Sequence, residues 1–397
     1  MTDQITAAAG AGTGSDVEAA VDAAVAEVAE GLGGLTPTLA VVFLGSGHTH
    51  SADTIAERVR HRLAPEHLVG ATAGGVIADG HELEDQAALS VWAVHLPGAS
   101  LTPLRYDAPV DPAESVDAEG RPQGVEWAEP PESADALLLL GDPVSFPAPA
   151  FLSWLGQARP QLPVSGGMAS GAGEPGGNRL LLDDAIYDDG AVALALTGVR
   201  VRTLVSQGCR PVGSSYVVTS ADRNLLQELG GATPVDRVRE VYQAASPEDQ
   251  QRMQAGLHLG TVIDEYKEEF GRGDFLVRGV LGAQQDTGAL VVGDLIDVGQ
   301  TVQFQVRDAP AADEDLRELL SRFASGGTPV AGLLFTCNGR GEQLFDEPDH
   351  DADLVRSSLG DLPLAGFFCA GEIGPVGSRS FVHGFTASVL AFDPVDA

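Results

Sequence analysis

The sequence predicts an α/β protein with mixed sheets, in which a short helix precedes two α/β domains built from loosely repeated β-loop-α-β-turn-β units. Three observations predict this class. Several short runs are apolar throughout, other segments have apolar residues every three or four positions, and one order of segments recurs three times. Strands that are apolar throughout are typical of sheets covered on both faces by helices. The fold class therefore follows from the order of the segments.

The first 34 residues are expected to form a tail and a helix. Residues 1–14 contain mainly Ala, Gly and Thr, and we expect them to be an unpacked tail. Ser15 then offers a helix N-cap, with Glu18 at the capping-box spacing. The valines that follow at helical intervals predict a helix of about 16 residues. Glycines end this helix before the first apolar strand.

Each repeat has the order strand, polar loop, helix, strand, turn, strand. The repeats begin at Leu39, Ala136 and Val330, and a short segment bounded by glycine follows the second strand of each. A helical crossover makes the first two strands parallel, whereas a tight turn makes the third strand antiparallel. The glycines allow the backbone to approach closely either another chain segment or a ligand. The sequence leaves both interpretations open.

The chain is expected to divide into two domains after its second repeat. Residues 35–220 are expected to hold the first two repeats, with an acidic, proline-rich surface insertion over 105–135. Residues 221–397 are expected to hold the third repeat. Within them, residues 222–270 have a polar helical pattern and residues 275–307 have the alternation of β-hairpins.

The acidic composition excludes some classes of partner. The chain has 57 acidic and 23 basic residues, so its formal net charge is −34, and Lys267 is its one lysine. A field this negative repels nucleic-acid phosphates and anionic lipids, so we expect neither nucleic acid nor a membrane as a partner. A salt-rich host cytoplasm and a GC-rich host genome both explain the acidity, and composition does not separate them.

The cysteine content and the N-terminus both indicate a cytoplasmic protein. Three cysteines are too few for a disulfide framework, and their odd number leaves at least one thiol free. The N-terminus lacks the basic region of a signal peptide. No apolar run approaches the roughly 20 residues that a membrane-spanning helix needs.

Two loops of the third repeat contain the residues that we expect to bind a small ligand. Both loops directly follow buried strands, and ligands in α/β sheets bind at the carboxyl ends of such strands. Arg340 in the first loop is suited to clamp a carboxylate or phosphate, and an ion pair with an acidic side chain is the alternative interpretation. The candidate ligand-binding residues are Cys337, Asn338, Gly339, Arg340, Cys369, Gly371, Glu372 and His383.

A cysteine enzyme is an alternative that the same residues allow. Cys369 or Cys337 provides the nucleophile in this hypothesis, His383 the base and Glu372 the group that orients the base. The two phenylalanines before Cys369 argue against it, because apolar surroundings raise the pKa of a thiol. We therefore predict no catalytic residue set.

No metal site is predicted. Two cysteines and one histidine of the third repeat lack the fourth ligand and the spacing of a zinc module. His48 and His50, in the loop after the first strand, provide only two ligands.

Several motifs together resemble the FIST family, the F-box and intracellular signal transduction proteins. They are T-C-N-G-R-G, P-L-A-G-F-F-C-A-G-E-I-G-P-V-G and F-V-H-G-F-T-A near the C-terminus, and V-G-A-T-A-G-G-V-I, S-Q-G-C-R-P-V-G and F-L-V-R-G-V-L-G-A before them. The resemblance extends over about residues 35–393 and is to the standalone bacterial or archaeal members. The loops shared with the family also include Cys209 and Arg210.

The resemblance implies a sensor of small molecules such as amino acids. Because the sequence contains no recognisable F-box, kinase or cyclase segment, the output is expected to pass to a separate signalling partner. Some family members bind haem and sense nitric oxide, so the resemblance also implies haem as an alternative cofactor. His383 and Cys369 are then the candidate axial ligands.

Overall fold

The computed structural model describes residues 4–107, 126–267 and 269–394. The predicted mixed α/β class is confirmed.

The helices are α1 Val17–Leu32, α2 Ala52–Leu63, α3 Ala148–Ala158, α4 Pro234–Ala244, α5 Pro247–Ala255, α6 Ala309–Ala324 and α7 His350–Leu359. The strands are β1 Thr6–Thr13, β2 Leu39–Leu44, β3 His67–Thr72, β4 Val76–Ala78, β5 His81–Leu83, β6 Ala88–His95, β7 Ser100–Tyr106, β8 Ala136–Gly141, β9 Val164–Met168, β10 Leu180–Leu182, β11 Ala185–Tyr187, β12 Ala191–Thr197, β13 Val201–Gln207, β14 Cys209–Asp222, β15 Leu225–Leu229, β16 Leu257–Val262, β17 Phe275–Ala283, β18 Leu290–Val292, β19 Thr301–Arg307, β20 Ala331–Cys337, β21 Leu364–Cys369, β22 Glu372–Val376, β23 Arg379–His383 and β24 Thr386–Phe392.

The described residues form two compact units. The first unit comprises those within Met1–Val205, Arg317–Val382 and Thr386–Ala397. The second unit comprises those within Ser206–Leu316 and His383–Phe385. The first unit therefore combines chain segments from before and after the second.

The described part of the first unit contains three six-stranded sheets with one common plan. The first has the order β1-β6-β2-β3-β10-β11, the second β7-β12-β8-β9-β22-β23 and the third β13-β24-β20-β21-β4-β5. In each sheet the first two strands of a repeat are parallel and its third strand is antiparallel to the first strand. The pairing expected from the repeat is thus present in all three.

Each repeat gives a hairpin to a neighbouring sheet. The hairpin β4–β5 follows the second strand of the first repeat, yet β4 pairs with β21 of the third. In the same way β10–β11 of the second repeat extends the first sheet, and β22–β23 of the third extends the second. The glycine-bounded segments after β3, β9 and β21 are the connections to these exchanged hairpins.

A glycine occupies the same register position in each repeat. Gly70 of β3 lies opposite Val42 of β2, and Gly166 and Gly366 have the corresponding positions in the other two sheets. A Cβ atom at Gly366 would overlap the carbonyl oxygen of Leu334 on the adjacent strand, and the other two glycines have the same constraint. At these positions the close approach is to another chain segment, not to a ligand.

The expectation of an unpacked tail over residues 1–14 is wrong. Strand β1 pairs antiparallel with β6 over its whole length, from Thr6 opposite His95 to Thr13 opposite Ala88. Its small residues have a packing reason, because a Cβ at Gly12 would overlap the backbone of α1. Asp16, one residue after the expected cap, caps α1 by accepting a hydrogen bond from the Ala19 backbone N–H. The expected length of the helix is confirmed.

Buried side chains from the sheets form the main core of the first unit. Phe43 of β2 lies 4.6 Å from Phe367 of β21, measured between ring centroids, and Phe335 of β20 packs against both. Helices α1 and α2 cover the other face of the first sheet, and α3 covers the second. This packing fixes the strands whose ends hold the candidate site.

The end of the predicted surface insertion is mostly exposed but is anchored by a buried tryptophan. Trp127 is buried and packs against Phe151 and Trp154 of α3, with ring centroids 5.1 and 5.4 Å apart. Residues 108–125 of the insertion lie outside the described residues.

The second unit contains a closed barrel of strand order β14-β15-β18-β17-β16-β19. The predicted strands over residues 275–307 are present as β17, β18 and β19. However, β19 pairs with β14 and β16 rather than forming a hairpin with β18. The polar segment 222–270 contains α4 and α5 but also strands β15 and β16. Phe304 and Val302 of β19 are fully buried in the barrel core.

Candidate functional site

The two candidate loops leave the same edge of the third sheet. Strands β20 and β21 are parallel, and their last residues, Cys337 and Cys369, are register partners. The Asn338 backbone N–H donates to the Cys369 carbonyl oxygen at 3.0 Å. Because parallel neighbours place their carboxyl ends together, the fold brings both loops into contact.

Arg340 is wholly buried and paired with Asp351. Its Nε lies 2.6 Å from Oδ2 and its Nη2 lies 2.7 Å from Oδ1, so the pairing is bidentate. Thr336 Oγ1 donates to the same Oδ2 at 2.8 Å, and His350 Nδ1 lies 3.0 Å from Oδ1. The structure thus contains the ion pair that was the alternative interpretation of Arg340, and Asp351 is its acidic partner.

The third side-chain nitrogen of Arg340, Nη1, is buried and has no hydrogen-bond partner within the described residues. A buried donor without a partner costs about 1–3 kcal/mol relative to one that is satisfied. This atom therefore marks a place where a further acceptor would stabilise the protein.

Asp351 belongs to the first turn of α7, where a carboxylate also interacts favourably with the helix dipole. Burial alone acts to raise the pKa of Asp351. The charge of Arg340 and the hydrogen bonds from Arg340 and His350 outweigh burial and hold the pKa below its usual value. The folded protein therefore contains an ionised carboxylate in its interior, kept there by one arginine.

A second carboxyl group reaches this ion pair from the first repeat. Glu82, on the exchanged hairpin strand β5, accepts a hydrogen bond from the Ala352 backbone N–H at 2.9 Å. Burial, with a further contribution from the nearby negative charge of Asp351, raises the pKa of Glu82 to about 8. Its Oε2 is buried without a partner among the described residues. Glu82 is thus mainly protonated at neutral pH.

Glu372, the first residue of β22, is a third buried carboxyl group. Its Oε2 accepts from the Thr386 backbone N–H at 3.1 Å and from Thr386 Oγ1 at 2.8 Å. Burial raises the pKa of Glu372 to about 8, although Thr386, Arg340 and Cys337 each lower it in part. Its Oε1 is buried and has no partner among the residues that the structure describes.

The two cysteines of the site have different surroundings. Cys369 is fully buried, and burial, followed by the charges of Glu372 and Cys337, raises the pKa of its thiol well above the usual value. Cys337 is partly exposed, and its sulfur accepts from the Gly339 backbone N–H at 3.4 Å. Cys369 is thus a thiol rather than a thiolate at neutral pH, which makes it a poor nucleophile.

Comparison with known families gives two matches, one after the other along the chain. The FIST N domain matches residues 38–232, and the FIST C domain matches residues 234–375. The chain belongs to the FIST family. The resemblance found in the sequence is thereby confirmed. FIST domains are small-ligand-binding domains of signal transduction.

Relatives of similar length occur in mycobacteria. The uncharacterized protein Rv0628c of Mycobacterium tuberculosis is 42% identical over 399 residues, which cover 96% of this chain and 98% of that protein. The uncharacterized protein Mb0898c of Mycobacterium bovis is 39% identical over 391 residues, covering 94% and 95% respectively. The similarity therefore extends over both FIST domains.

The remaining candidate residues include Gly371, Asn338 and His383, which have different surroundings. The carbonyl oxygen of Gly371 accepts from the Met168 backbone N–H, which links this loop to the second sheet. The Asn338 side chain approaches Gly74, in the connection after β3. His383 is the last residue of β23 and is buried. It belongs to the second compact unit, whereas the other candidates belong to the first.

The other two residues in the shared FIST loops belong to the second unit. Cys209 is buried at the start of β14, among apolar side chains of the barrel. Arg210 pairs with Asp308 at 2.6 Å and with Asp249. These contacts make Arg210 part of a structural ion-pair network.

Haem ligation by Cys369 does not fit its surroundings. Its sulfur packs against Gly167 of β9 so closely that a Cβ atom there would overlap it. Phe335 and Phe367 belong to the same core as Cys369, so its sulfur lies among closely packed side chains. The described residues also contain no group of three or more His, Cys, Asp or Glu side chains that could hold a metal ion.

The residues that sequence reasoning missed are Asp351, Glu82 and Thr386. Asp351 has no local signal, because an acidic residue in the first turn of a helix is common. Glu82 reaches the site only through the hairpin exchange, which no local pattern encodes.

None of the helices within the described ranges is long and apolar enough to span a membrane.

Proposed function

We propose that this FIST protein is a cytoplasmic small-ligand sensor whose ligand binds at the buried cluster around Arg340, and that its output passes to a separate signalling protein. The family supports ligand binding and signalling in general. The observation that carries the location is the pair of unsatisfied atoms, Arg340 Nη1 and Glu372 Oε1, in the two loops shared with the family.

Arg340 Nη1 and Glu372 Oε1 determine which hydrogen-bonding groups the ligand must have. Arg340 Nη1 is a cationic donor, so it needs an acceptor such as a carboxylate oxygen. The neutral form of Glu372 offers either a donor or an acceptor at Oε1 to a polar group. A small molecule with a carboxylate and a second polar group meets both needs. Amino acids belong to this class.

The backbone N–H groups of the turn after β20 are occupied by contacts within the protein. The N–H groups of Asn338, Gly339 and Arg340 are already used by Cys369 and Cys337. Side-chain atoms therefore provide the ligand contacts, and the glycines of the turn provide only close approach.

The same cluster offers a route for the signal. Asp351 links Arg340 to the first turn of α7. A ligand carboxylate at Nη1 competes with Asp351 for the positive charge of Arg340. The outer side of α7 borders a surface cavity of about 590 Å³ whose lining includes His350, Asp353 and Arg356. Because His350 contacts Asp351, a change in the ion pair is transmitted to a surface that a partner protein can read.

A thermal-stabilisation screen tests the proposal. Amino acids and related small carboxylates are added to the wild-type protein and to Arg340→Lys, which keeps the charge beside Asp351 but lacks Nη1. Arg322→Lys is the control, since Arg322 is exposed and pairs with Glu318 on α6. We expect a ligand that raises the melting temperature of the wild type and the control but not of Arg340→Lys. An equal effect on all three proteins contradicts the proposal.

A further inference from the structure

A second cavity lies at the carboxyl ends of β2 and β3 in the first unit. Its volume is about 330 Å³, at the lower end of the range for small-molecule sites. The 3-10 turn Ser46–Ser51, which follows β2, forms one wall, and the loop between β9 and β10 forms the other. None of the residues around Arg340 lines this cavity.

The internal repeat explains why the cavity is open here. The three exchanged hairpins are connected by residues 73–75 after β3, 370–371 after β21 and 169–179 after β9. In the third sheet the corresponding position is filled by Arg340 and its partners. The connection of the second repeat is longer. The backbones of Ser170 and Arg179, near its two ends, hydrogen-bond to Thr72, and residues between them line the cavity.

The long connection is held in place by one buried side chain. Asn178 is fully buried, and its Nδ2 donates to Asp142 Oδ1 at 2.9 Å and to the Ala172 carbonyl oxygen at 3.0 Å. Its Oδ1 accepts from Thr72 Oγ1 at 3.1 Å and from the Ala172 backbone N–H at 3.0 Å. All its polar atoms are satisfied, so the cavity wall is preorganised.

Arg179 gives the cavity a positive charge that no carboxylate neutralises within the described residues. Its Nη1 donates only to the carbonyl oxygens of Gly176 and Asn178, at 2.7 and 2.6 Å. In a chain with a formal net charge of −34, most of the described arginines pair with an acid. The Nε and Nη2 groups of Arg179, a residue that lines the cavity, have no acceptor among the described residues.

Other donors face the same space. Ser46 lines the cavity with a hydroxyl group and His50 with an imidazole, whereas the Thr49 hydroxyl already donates to the Ser46 carbonyl oxygen at 3.3 Å. The backbone N–H groups of Gly171 and Gly176 have no acceptor in the part of the chain that the structure describes. Convergent hydroxyl, guanidinium and backbone N–H groups are the donors that bind oxyanions.

We propose that this cavity is a second ligand site, which binds the oxyanion group of a small metabolite through Arg179 on one wall and Ser46 and His50 on the other. The oxyanion is a carboxylate or a phosphate. Glu174 also lines the cavity, and its charge disfavours a second anionic group on the ligand. The ligand therefore has one oxyanion group and an otherwise neutral or cationic body. The site is independent of the one proposed around Arg340.

Isothermal titration with inorganic phosphate and with acetate, at constant ionic strength adjusted with chloride, tests the proposal on the full chain. We expect one of the two anions to bind the wild type in the millimolar range, and the anion that binds identifies the oxyanion class. Arg179→Gln removes the charged donors, so we expect roughly tenfold weaker binding or none. Arg159→Gln is the matched control, because Arg159 also donates only to backbone carbonyls among the described residues.

A variant on the opposite wall of the cavity distinguishes a loss of ligand binding from a disturbance of the loop that contains Arg179. Ser46 is exposed, so Ser46→Leu fills the cavity without disturbing the core, and we expect it to abolish binding while leaving the melting temperature unchanged. The proposal is overturned if neither anion binds the wild type, or if Arg179→Gln and Ser46→Leu bind as tightly as Arg159→Gln.

Discussion

Arg340 and Asp351 form a two-point ion pair that is almost completely withdrawn from solvent, with Nε 2.6 Å from Oδ2 and Nη2 2.7 Å from Oδ1. The exposed fractions of the two side chains are 0% and 1%. The pair connects the loop after β20 to the first turn of α7. It therefore determines the positions of the helix and the loop together.

Breaking this pair should strongly destabilise the fold. Arg340→Leu leaves the Asp351 carboxylate buried and unpaired, so we expect the free energy of unfolding to fall by about 3–5 kcal/mol. Urea unfolding followed by circular dichroism measures the change. Arg322→Leu is the control: its pair with Glu318 is exposed, and we expect a loss of less than about 1 kcal/mol. Equal losses in both variants are incompatible with this description of the pair.

The repeated glycine should tolerate no side chain. A Cβ atom at Gly366 overlaps the Leu334 carbonyl oxygen, so we expect Gly366→Ala to lower the free energy of unfolding by about 1–3 kcal/mol. Gly156→Ala is the matched control, because Gly156 lies in α3 with open space around it. Alanine is favoured over glycine in a helix, so this control should gain about 0.5–1 kcal/mol. A neutral result for Gly366→Ala shows that the strands are not paired in this register.

Glu372 should make stability depend on pH. Burial raises the pKa of Glu372 from 4.5 to about 8 in the folded state. Because the folded state holds the proton more tightly, the stabilisation is complete below pH 4.5 and is lost as the pH rises through 8. We expect the free energy of unfolding to decrease between these two values, with a slope of at most about 1.4 kcal/mol per pH unit for this group.

Glu372→Gln is the variant that checks this pH dependence. It removes the titration, so its unfolding free energy should change less with pH than that of the wild type. Part of the dependence should remain, because the pKa of Glu82 is also raised to about 8 by burial. Glu318→Gln, at an exposed position of α6, serves as the control and should keep the wild-type profile. An unchanged profile in Glu372→Gln refutes the assignment.

The two cysteines of the site should differ in reactivity. Cys337 is partly exposed, whereas Cys369 is buried and the pKa of its thiol is raised. We therefore expect iodoacetamide to label Cys337 in the folded protein at neutral pH and to label Cys369 only after unfolding. Peptide mass spectrometry after timed labelling gives both rates. Rapid labelling of Cys369 in the folded protein contradicts its burial and revives the hypothesis of a cysteine enzyme.

Sequence reasoning could predict the segments of the three repeats, because apolar runs and helical periodicity are local signals. It could not predict the hairpin exchange, since the pairing of β4 with β21 joins residues that are far apart in the chain. It also missed β1, where alanine and glycine pack against α1 but give no hydrophobic signal. The domain boundary near residue 220 stays a prediction.

The candidate site was also predictable in part, because some of its features are local in the sequence. The position of Arg340 after a buried strand is a local feature, and the parallel pairing of β20 with β21 then places Cys337 beside Cys369. The partner of Arg340 was not predictable, because Asp351 is one of 57 acidic residues and only the tertiary fold selects it. The role of the site in ligand binding remains a proposal.

Mass spectrometry of the small molecules that co-purify with the protein tests whether a ligand binds at Arg340. Wild-type protein, Arg340→Lys and Arg322→Lys are purified in parallel, denatured, and their soluble extracts compared. We expect a small carboxylate-containing metabolite that is retained by the wild type and by Arg322→Lys, and is lost from Arg340→Lys. A metabolite retained equally by all three proteins, or by none of them, contradicts a ligand site at Arg340.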